Sequence, residues 1–263
     1  VTSLVNARLS EKSKSKYLRF SSLIKPAINS LDLVLAQYKS DVDRFNEIVA
    51  DKKIELCGNL KFDQDMPEEL ESIASSIRDS WSIEGNRRPT LIAASTHEGE
   101  EVIVLDAFKI ILESINDALL ILVPRHLERF ERVKSLIKKE GFNLSSRSKK
   151  EDVTKDIQVL LGDTMGELNF LYSVSDVAFV GGSLIDHGGQ NLLEPAAQGL
   201  PLCSGPSNRN FVEISDQLKK ASGLRIINNK NELANYFVDL IYEKHLLKEY
   251  GQASKEIFIK NRG

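Results

Sequence analysis

A chain of 263 residues, 41% hydrophobic and 28% charged, has enough apolar mass for one large domain or two modest ones. Its formal net charge of −3 lacks the basic excess typical of nucleic-acid binders, so no nucleic-acid partner is expected. No run of about 18 apolar residues occurs, so no membrane-spanning helix is written in these residues. Cys57 and Cys203 stand far apart without a paired spacing and read as small buried hydrophobes rather than redox or metal groups.

The chain opens on Val1-Thr2-Ser3-Leu4-Val5 without an initiator Met or a signal peptide, as though it starts inside a fold. Truncation is the favoured expectation, a processed terminus the alternative. Residues 3–9 suit a strand and its exit, and 16–31 carry helical spacing interrupted at Pro26. A buried strand is predicted at 33–36, a helix at 41–50 with Asp41 as N-cap, and a strand at 54–57. Residues 59–67 are polar and read as a boundary, followed by an amphipathic helix over 68–80. From Pro89 the alternation is cleaner. Strands are predicted at 90–94, 118–123, 157–161, 176–180, 201–204 and 224–227, and helices at 98–114, 127–140, 166–173, 191–198 and 211–221, with helical sequence to the end. Short, wholly apolar strands alternating with helices make βαβ units and a parallel sheet covered on both faces. The Ser- and charge-rich stretch 145–156 reads as a solvated loop with no chemistry.

In such a sheet, ligands bind beyond the carboxyl ends of the strands, and four post-strand segments stand out. The first is Ala94-Ser95-Thr96-His97-Glu98-Gly99-Glu100-Glu101. Ser95 and Thr96 can cap the next helix, with acidic residues in its first turn, or the helix start can hold an anion. Capping leaves His97 unexplained. In the second, Val123-Pro124-Arg125-His126, Arg125 suits phosphate or a base edge, or else pairs with Glu128 on the surface. In the third, Gly162-Asp163-Thr164-Met165-Gly166-Glu167-Leu168, two glycines bracket a turn that opens a helix, although a plain tight turn would read similarly. The fourth and strongest runs from Phe179-Val180-Gly181-Gly182-Ser183 through Gly188-Gly189-Gln190-Asn191 to Leu192-Leu193-Glu194-Pro195. Two Gly-Gly pairs within nine residues carry an entropic cost that a plain connector need not bear. Glu194 offers a carboxylate that can accept two vicinal hydroxyls. Neither a metal-holding Asp-x-Asp pair nor a G-x-G-x-x-G fingerprint is present. His97, His126, His187 and His245 lack metal-ligand spacing, so no metal is expected.

In chain order, Asn6-Ala7-Arg8-Leu9-Ser10 with Ser13, Gly58-Asn59-Leu60-Lys61-Phe62-Asp63, the first three segments above, Gly181 to Pro195, and Gly205-Pro206 with Asn210-Phe211 resemble the bacterial 3-deoxy-D-manno-oct-2-ulosonic acid (Kdo) transferases. The resemblance spans nearly the whole chain. It implies an α/β fold of glycosyltransferase-B type: a Rossmann-like C-terminal domain with a parallel sheet, at 63–263, which binds CMP-Kdo, and the remnant of a second Rossmann-like domain, at 1–62, the end of the acceptor domain. It implies inverting, metal-independent transfer of Kdo to a lipid A precursor at the cytoplasmic face of the bacterial inner membrane, with CMP-Kdo as donor substrate and no cofactor. The family's CMP positions fall on Pro124, Arg125, Gly166, Glu167, Leu168, Asn191, Leu192, Leu193 and Glu194. Donor or acceptor contacts are expected from Arg8, Ser95, Thr96, His97, Gly182, Ser183 and Gln190.

Two departures follow. Gln190 stands where the family usually has His, and cannot become cationic. The family's proposed base, a Glu early in the N-terminal domain, maps upstream of Val1, so the catalytic residue is unknown. The basic residues Lys12, Lys14, Lys16, Arg19 and Lys25 could touch anionic lipid or form a solvated helix face. Another sugar-nucleotide glycosyltransferase or epimerase, and a non-catalytic nucleotide-binding module, remain the alternatives.

Overall fold

The computed structural model describes residues 1–50, 53–58, 60 and 68–262. It divides into two compact units, Val1–Asp65 with Lys260–Gly263, and Met66–Ile259. The expected boundary at 62/63 lies outside the described residues, as does the 59–67 linker apart from Leu60.

The first unit is a three-stranded parallel sheet in the order β1-β2-β3. It is built as β1 (Ser3–Ala7), α1 (Glu11–Arg19), α2 (Ser21–Asn29), β2 (Leu33–Ala36), α3 (Lys39–Ile48) and β3 (Ile54–Leu56). Its core gathers Ala7, Leu9, Ile28, Val34, Phe45 and Ile48. Ser10 caps α1 by accepting the Ser13 N–H at 3.1 Å. The helical stretch breaks at Phe20, between α1 and α2, and not at Pro26, which lies inside α2 and there removes only one helical hydrogen bond. Asp41 does not cap α3, whose N-cap is Tyr38. It is buried within the helix, accepts the Leu9 N–H at 2.9 Å and pairs with Arg44, so its carboxylate ties down the exit from β1. Of the basic residues on α1, Lys14 is held by Glu11 and Glu47.

The second unit is a seven-stranded parallel sheet in the order β10-β9-β8-β4-β5-β7-β6. The elements run α4 (Glu68–Ser80), β4 (Thr90–Thr96), α5 (Glu100–Ser114), β5 (Leu119–Pro124), α6 (Phe130–Lys139), β6 (Leu144–Ser146), β7 (Val159–Leu161), α7 (Leu168–Ser173), β8 (Val177–Val180), α8 (Leu193–Ala197), β9 (Leu202–Ser204), α9 (Val212–Lys220), β10 (Leu224–Ile226), α10 (Lys230–Tyr242) and α11 (Lys244–Asn261). Every residue of β4 is buried, as a central strand covered on both faces requires. Leu91, Ala93, Val104, Phe108, Leu120, Val133, Phe179 and Phe237 pack in one core cluster between the sheet and its helices.

Residues 144–146 form β6, paired with β7, and Ser145 and Ser146 are buried, so the 145–156 stretch starts inside the sheet. Helices α7 and α8 begin two residues later than their apolar spacing suggests, which leaves Gly166, Glu167, Asn191 and Leu192 in the turns ahead of them. From β4 the chain steps to β5 on one side, while β8, β9 and β10 extend the sheet on the other. The topological switch point therefore lies between β4 and β8, where open α/β sheets hold ligands.

Among the described residues, no helix is long and apolar enough to cross a membrane.

Candidate functional site

Glu100 builds the switch point. This fully buried first residue of α5 accepts four backbone N–H groups. His97 and Gly182 donate to Oε2 at 2.9 and 2.7 Å, and Ser183 and Leu184 to Oε1 at 2.9 Å each. One carboxylate thus stitches the loop after β4 to the loop after β8. The strands approach closely enough that a Cβ at Gly181 would lie 2.6 Å from the Ser95 carbonyl oxygen and 2.7 Å from Thr96 Cα. Ser95 itself adopts the left-handed conformation at φ +55°, an uncommon state for a residue with a side chain.

Ser95 and Thr96 do not cap the next helix: the N-cap of α5 is Gly99, with no side-chain cap bond. Their backbone is instead a junction. The Thr96 carbonyl accepts from Arg125 N–H at 3.0 Å and from Arg129 Nη1 at 3.0 Å, and Arg129 forks onto buried Glu101 at 2.9 and 3.0 Å. The Thr96 hydroxyl oxygen is buried without a hydrogen-bond partner.

His97 is 7% exposed, and its ring lies 4.2 Å from that of His187, stacked, and 5.5 Å from that of His126, edge-on. Gln190 Nε2 lies 3.0 Å from His97 Nε2. An amide nitrogen only donates, so this contact selects the tautomer with the proton on Nδ1. Burial, then His187, His126, Arg129 and Arg125, push the imidazole down to about 4, which keeps it neutral at physiological pH. Gln190 is thus placed on His97, and its Cγ and Nε2 lie within 3.4 Å of where a Cβ on Gly182 would stand. The second Gly-Gly pair answers to a close approach too: a Cβ at Gly189 (φ +76°) would meet Asn208 Oδ1 at 2.7 Å, and one at Gly188 (φ +88°) the Asn210 amide at 2.7 Å.

Glu194, the second residue of α8, accepts from Asn191 Nδ2 at 2.9 Å, while Asn191 Oδ1 accepts the Leu193 N–H at 3.1 Å. The N-cap of α8 is Leu192; Asn191, one residue ahead of it, holds the Leu193 N–H and steadies the Glu194 carboxylate, while Leu192 and Leu193 are buried beneath. Glu194 also helps to raise the buried Tyr172 hydroxyl well above its usual range, second to burial itself. Pro124 ends β5, and Arg125 beyond it is exposed. Its alternative as a partner of Glu128 finds no ion pair among the described residues. Gly166 is exposed at φ +80°, with open space where a Cβ would stand. The Glu167 carboxylate is occupied: Arg147 forks onto it at 3.1 and 2.9 Å and Thr164 Oγ1 donates at 2.5 Å. The Arg147 fork holds it below the usual range, against burial, which raises it.

The sheet therefore brings the segments after β4, β5, β7 and β8 to one edge, since these strands are immediate neighbours and parallel. His97, Gly182 and Gln190 meet directly, Ser95 and Thr96 lie against Gly181, and Ser183 is tied in through Glu100. Arg8 belongs to the other unit, exposed beyond β1. Sequence reasoning missed Glu100 as a staple, the Glu101–Arg129 fork and Arg147. The first two lay inside a noted segment, but acidic residues in a first helical turn look the same whether they face solvent or a neighbouring loop. The signal for Arg147 was Leu144-Ser145-Ser146, an uncharged run compatible with a short edge strand ahead of the charges.

The family described as 3-deoxy-D-manno-octulosonic-acid transferase (kdotransferase) matches residues 1–64. The 3-deoxy-D-manno-octulosonic acid transferase of Haemophilus influenzae is 38% identical over 262 residues, covering 99% of this chain and 61% of that protein. The crystal structure of the C-terminal CMP-Kdo binding domain of WaaA from Acinetobacter baumannii superposes with a TM-score of 0.68 at 30% identity, covering 73% of this chain and 98% of that one. The chain belongs to the Kdo transferase family. Members of this family are glycosyltransferases, and the fold is of glycosyltransferase-B type. A Kdo transferase of Aquifex aeolicus is 31% identical over 92% of this chain and 62% of its own length. The chain thus spans about three fifths of these two curated Kdo transferases.

Proposed function

We propose that the second unit binds CMP-Kdo at the carboxyl edge of its sheet and that the chain serves transfer of Kdo to a lipid A precursor. The observation that carries this reading is the likeness to a CMP-Kdo binding domain across 98% of that domain, together with a switch point built from buried polar groups. In this reading, backbone N–H groups at Gly166, Glu167 and Leu168 face the donor phosphate. Glu194, held by Asn191, accepts the ribose hydroxyls. Pro124 and Arg125 meet the cytosine or the phosphate. Ser95, Thr96, His97, Gly182, Ser183 and Gln190 face the sugar, and Arg8 the acceptor. Gln190 and neutral His97 act there as hydrogen-bonding groups without charge.

Transfer breaks the bond between the Kdo anomeric carbon and the phosphate oxygen, with CMP leaving, and forms a bond from that carbon to an acceptor hydroxyl on the opposite face. The hydroxyl proton needs a base. A donor with a single phosphate carries less charge to neutralise than a diphosphate, which supports transfer without a metal or other cofactor. With a lipid A precursor as acceptor, the proposed site of reaction is the cytoplasmic face of the inner membrane.

The test is nucleotide binding. CMP is expected to raise the thermal midpoint selectively over UMP, UDP and GDP, and Glu194→Ala to weaken CMP binding by on the order of 1–3 kcal/mol, from loss of a charged acceptor. Selectivity for UDP or GDP would transfer the site to another sugar nucleotide, and no response to any nucleotide would remove the donor site.

A further inference from the structure

Arg147 stands directly after β6 and has no role in the assignments above. Its guanidinium forks onto Glu167, Nε to Oε2 at 3.1 Å and Nη2 to Oε1 at 2.9 Å, and lies over the Phe170 ring, 4.9 Å from its centroid. The backbone that carries it is pinned to the same turn from the other side. Ser146 Oγ, Ser148 N and Ser148 Oγ donate to Asp163 at 2.5, 2.8 and 2.7 Å. Burial raises the Asp163 carboxyl, but these bonds outweigh it and hold the group below its ordinary value. Asp163, Thr164 and Glu167, the polar side chains of the 162–168 turn, are all engaged in this network.

Two effects follow. The turn from β7 into α7 carries Gly166 at positive φ with open space around it, so its own sequence does little to hold one shape. The clamp of residues 146–148 does that. The second effect is charge: an unpaired Glu167 carboxylate would stand beside the N–H groups of Gly166 to Leu168, and like charges repel. A guanidinium fork cancels that charge and stacks on an aromatic ring, a combination lysine cannot reproduce.

We propose that Arg147 is a positioning residue of the donor site: it fixes the 162–168 turn through Glu167 and cancels the carboxylate beside the phosphate. The proposal rests on the CMP-Kdo reading above. It makes Glu167 a structural partner of Arg147, with the turn's backbone as the ligand-facing group.

Calorimetric titration of CMP into the 263-residue chain and its Arg147→Gln, Arg147→Lys, Glu167→Gln and Arg147→Gln/Glu167→Gln variants tests it. R147Q is expected to weaken CMP binding about tenfold or more, and R147K, with the charge but not the fork, to recover part of that loss. The double variant is expected to bind at least as well as R147Q, because no bare carboxylate remains. Unchanged affinity in R147Q, or losses in the two single variants that simply add in the double, overturn the proposal. Should R147Q lose its thermal transition, R147K decides: affinity equal to that of the unsubstituted chain overturns the proposal. Failure of the unsubstituted chain to bind CMP would instead overturn the functional reading, and this proposal with it.

Discussion

His97 shows how a side chain acquires its chemistry from its neighbours. Alone, an imidazole titrates near 6.5; here burial and four basic neighbours bring it to about 4. Between these values the unfolded chain takes up a proton that the native state refuses. Stability therefore falls as pH drops from about 6.5 towards 4, and this contribution is constant above 6.5 and below 4. His97→Asn, which keeps a polar group but cannot charge, is expected to flatten that part of the profile. Urea titrations of both proteins at pH 7 and pH 5 check it, and equal pH dependence would contradict the lowered value. His97 drew notice because nothing in a capping motif needs a histidine. Its contact with Gln190 was not legible, since the two residues are 93 positions apart.

The loops after β4 and β8 depend on one another through the first turn of α5. Glu100→Gln keeps one acceptor oxygen but turns an NH2 group toward two backbone N–H groups. Leaving buried donors unpaired in this way costs about 2–4 kcal/mol. Equilibrium denaturation measures the loss, and a change under about 0.5 kcal/mol, ordinary for a surface site, would show that the staple does not hold these loops. The elements themselves were largely legible. β2 and α4 match their expected bounds, and most other strands begin or end within one or two residues of expectation, because short apolar runs admit little else. The failures have physical causes. β6 is a three-residue edge strand, two-thirds serine, and carries no apolar signal. Ahead of α7 and α8, Glu167 is engaged by Arg147 and Asn191 is bonded to Leu193 and Glu194, and neither partnership is visible in local spacing. Asp41 has an ordinary N-cap identity, but a distant backbone N–H claimed its carboxylate.

Each unit has a core of its own, and the donor residues assigned to the sheet edge all belong to the second unit. Residues 66–259 are therefore expected to unfold cooperatively when produced alone and to bind CMP within about threefold of the full chain. Calorimetry on the fragment checks this, and loss of a cooperative transition would show that the second unit depends on the first. What the amino-acid sequence by itself determined was the parallel α/β architecture and the family, because strand hydrophobicity and ordered glycine-rich blocks are local patterns carried by the chain. Only the tertiary structure decided how those blocks are held. Glu100 reaching across the switch point, Gln190 on His97 and Arg147 on Glu167 join residues 20 to 93 positions apart, and such partnerships are set by strand order and close approach, which no local pattern records.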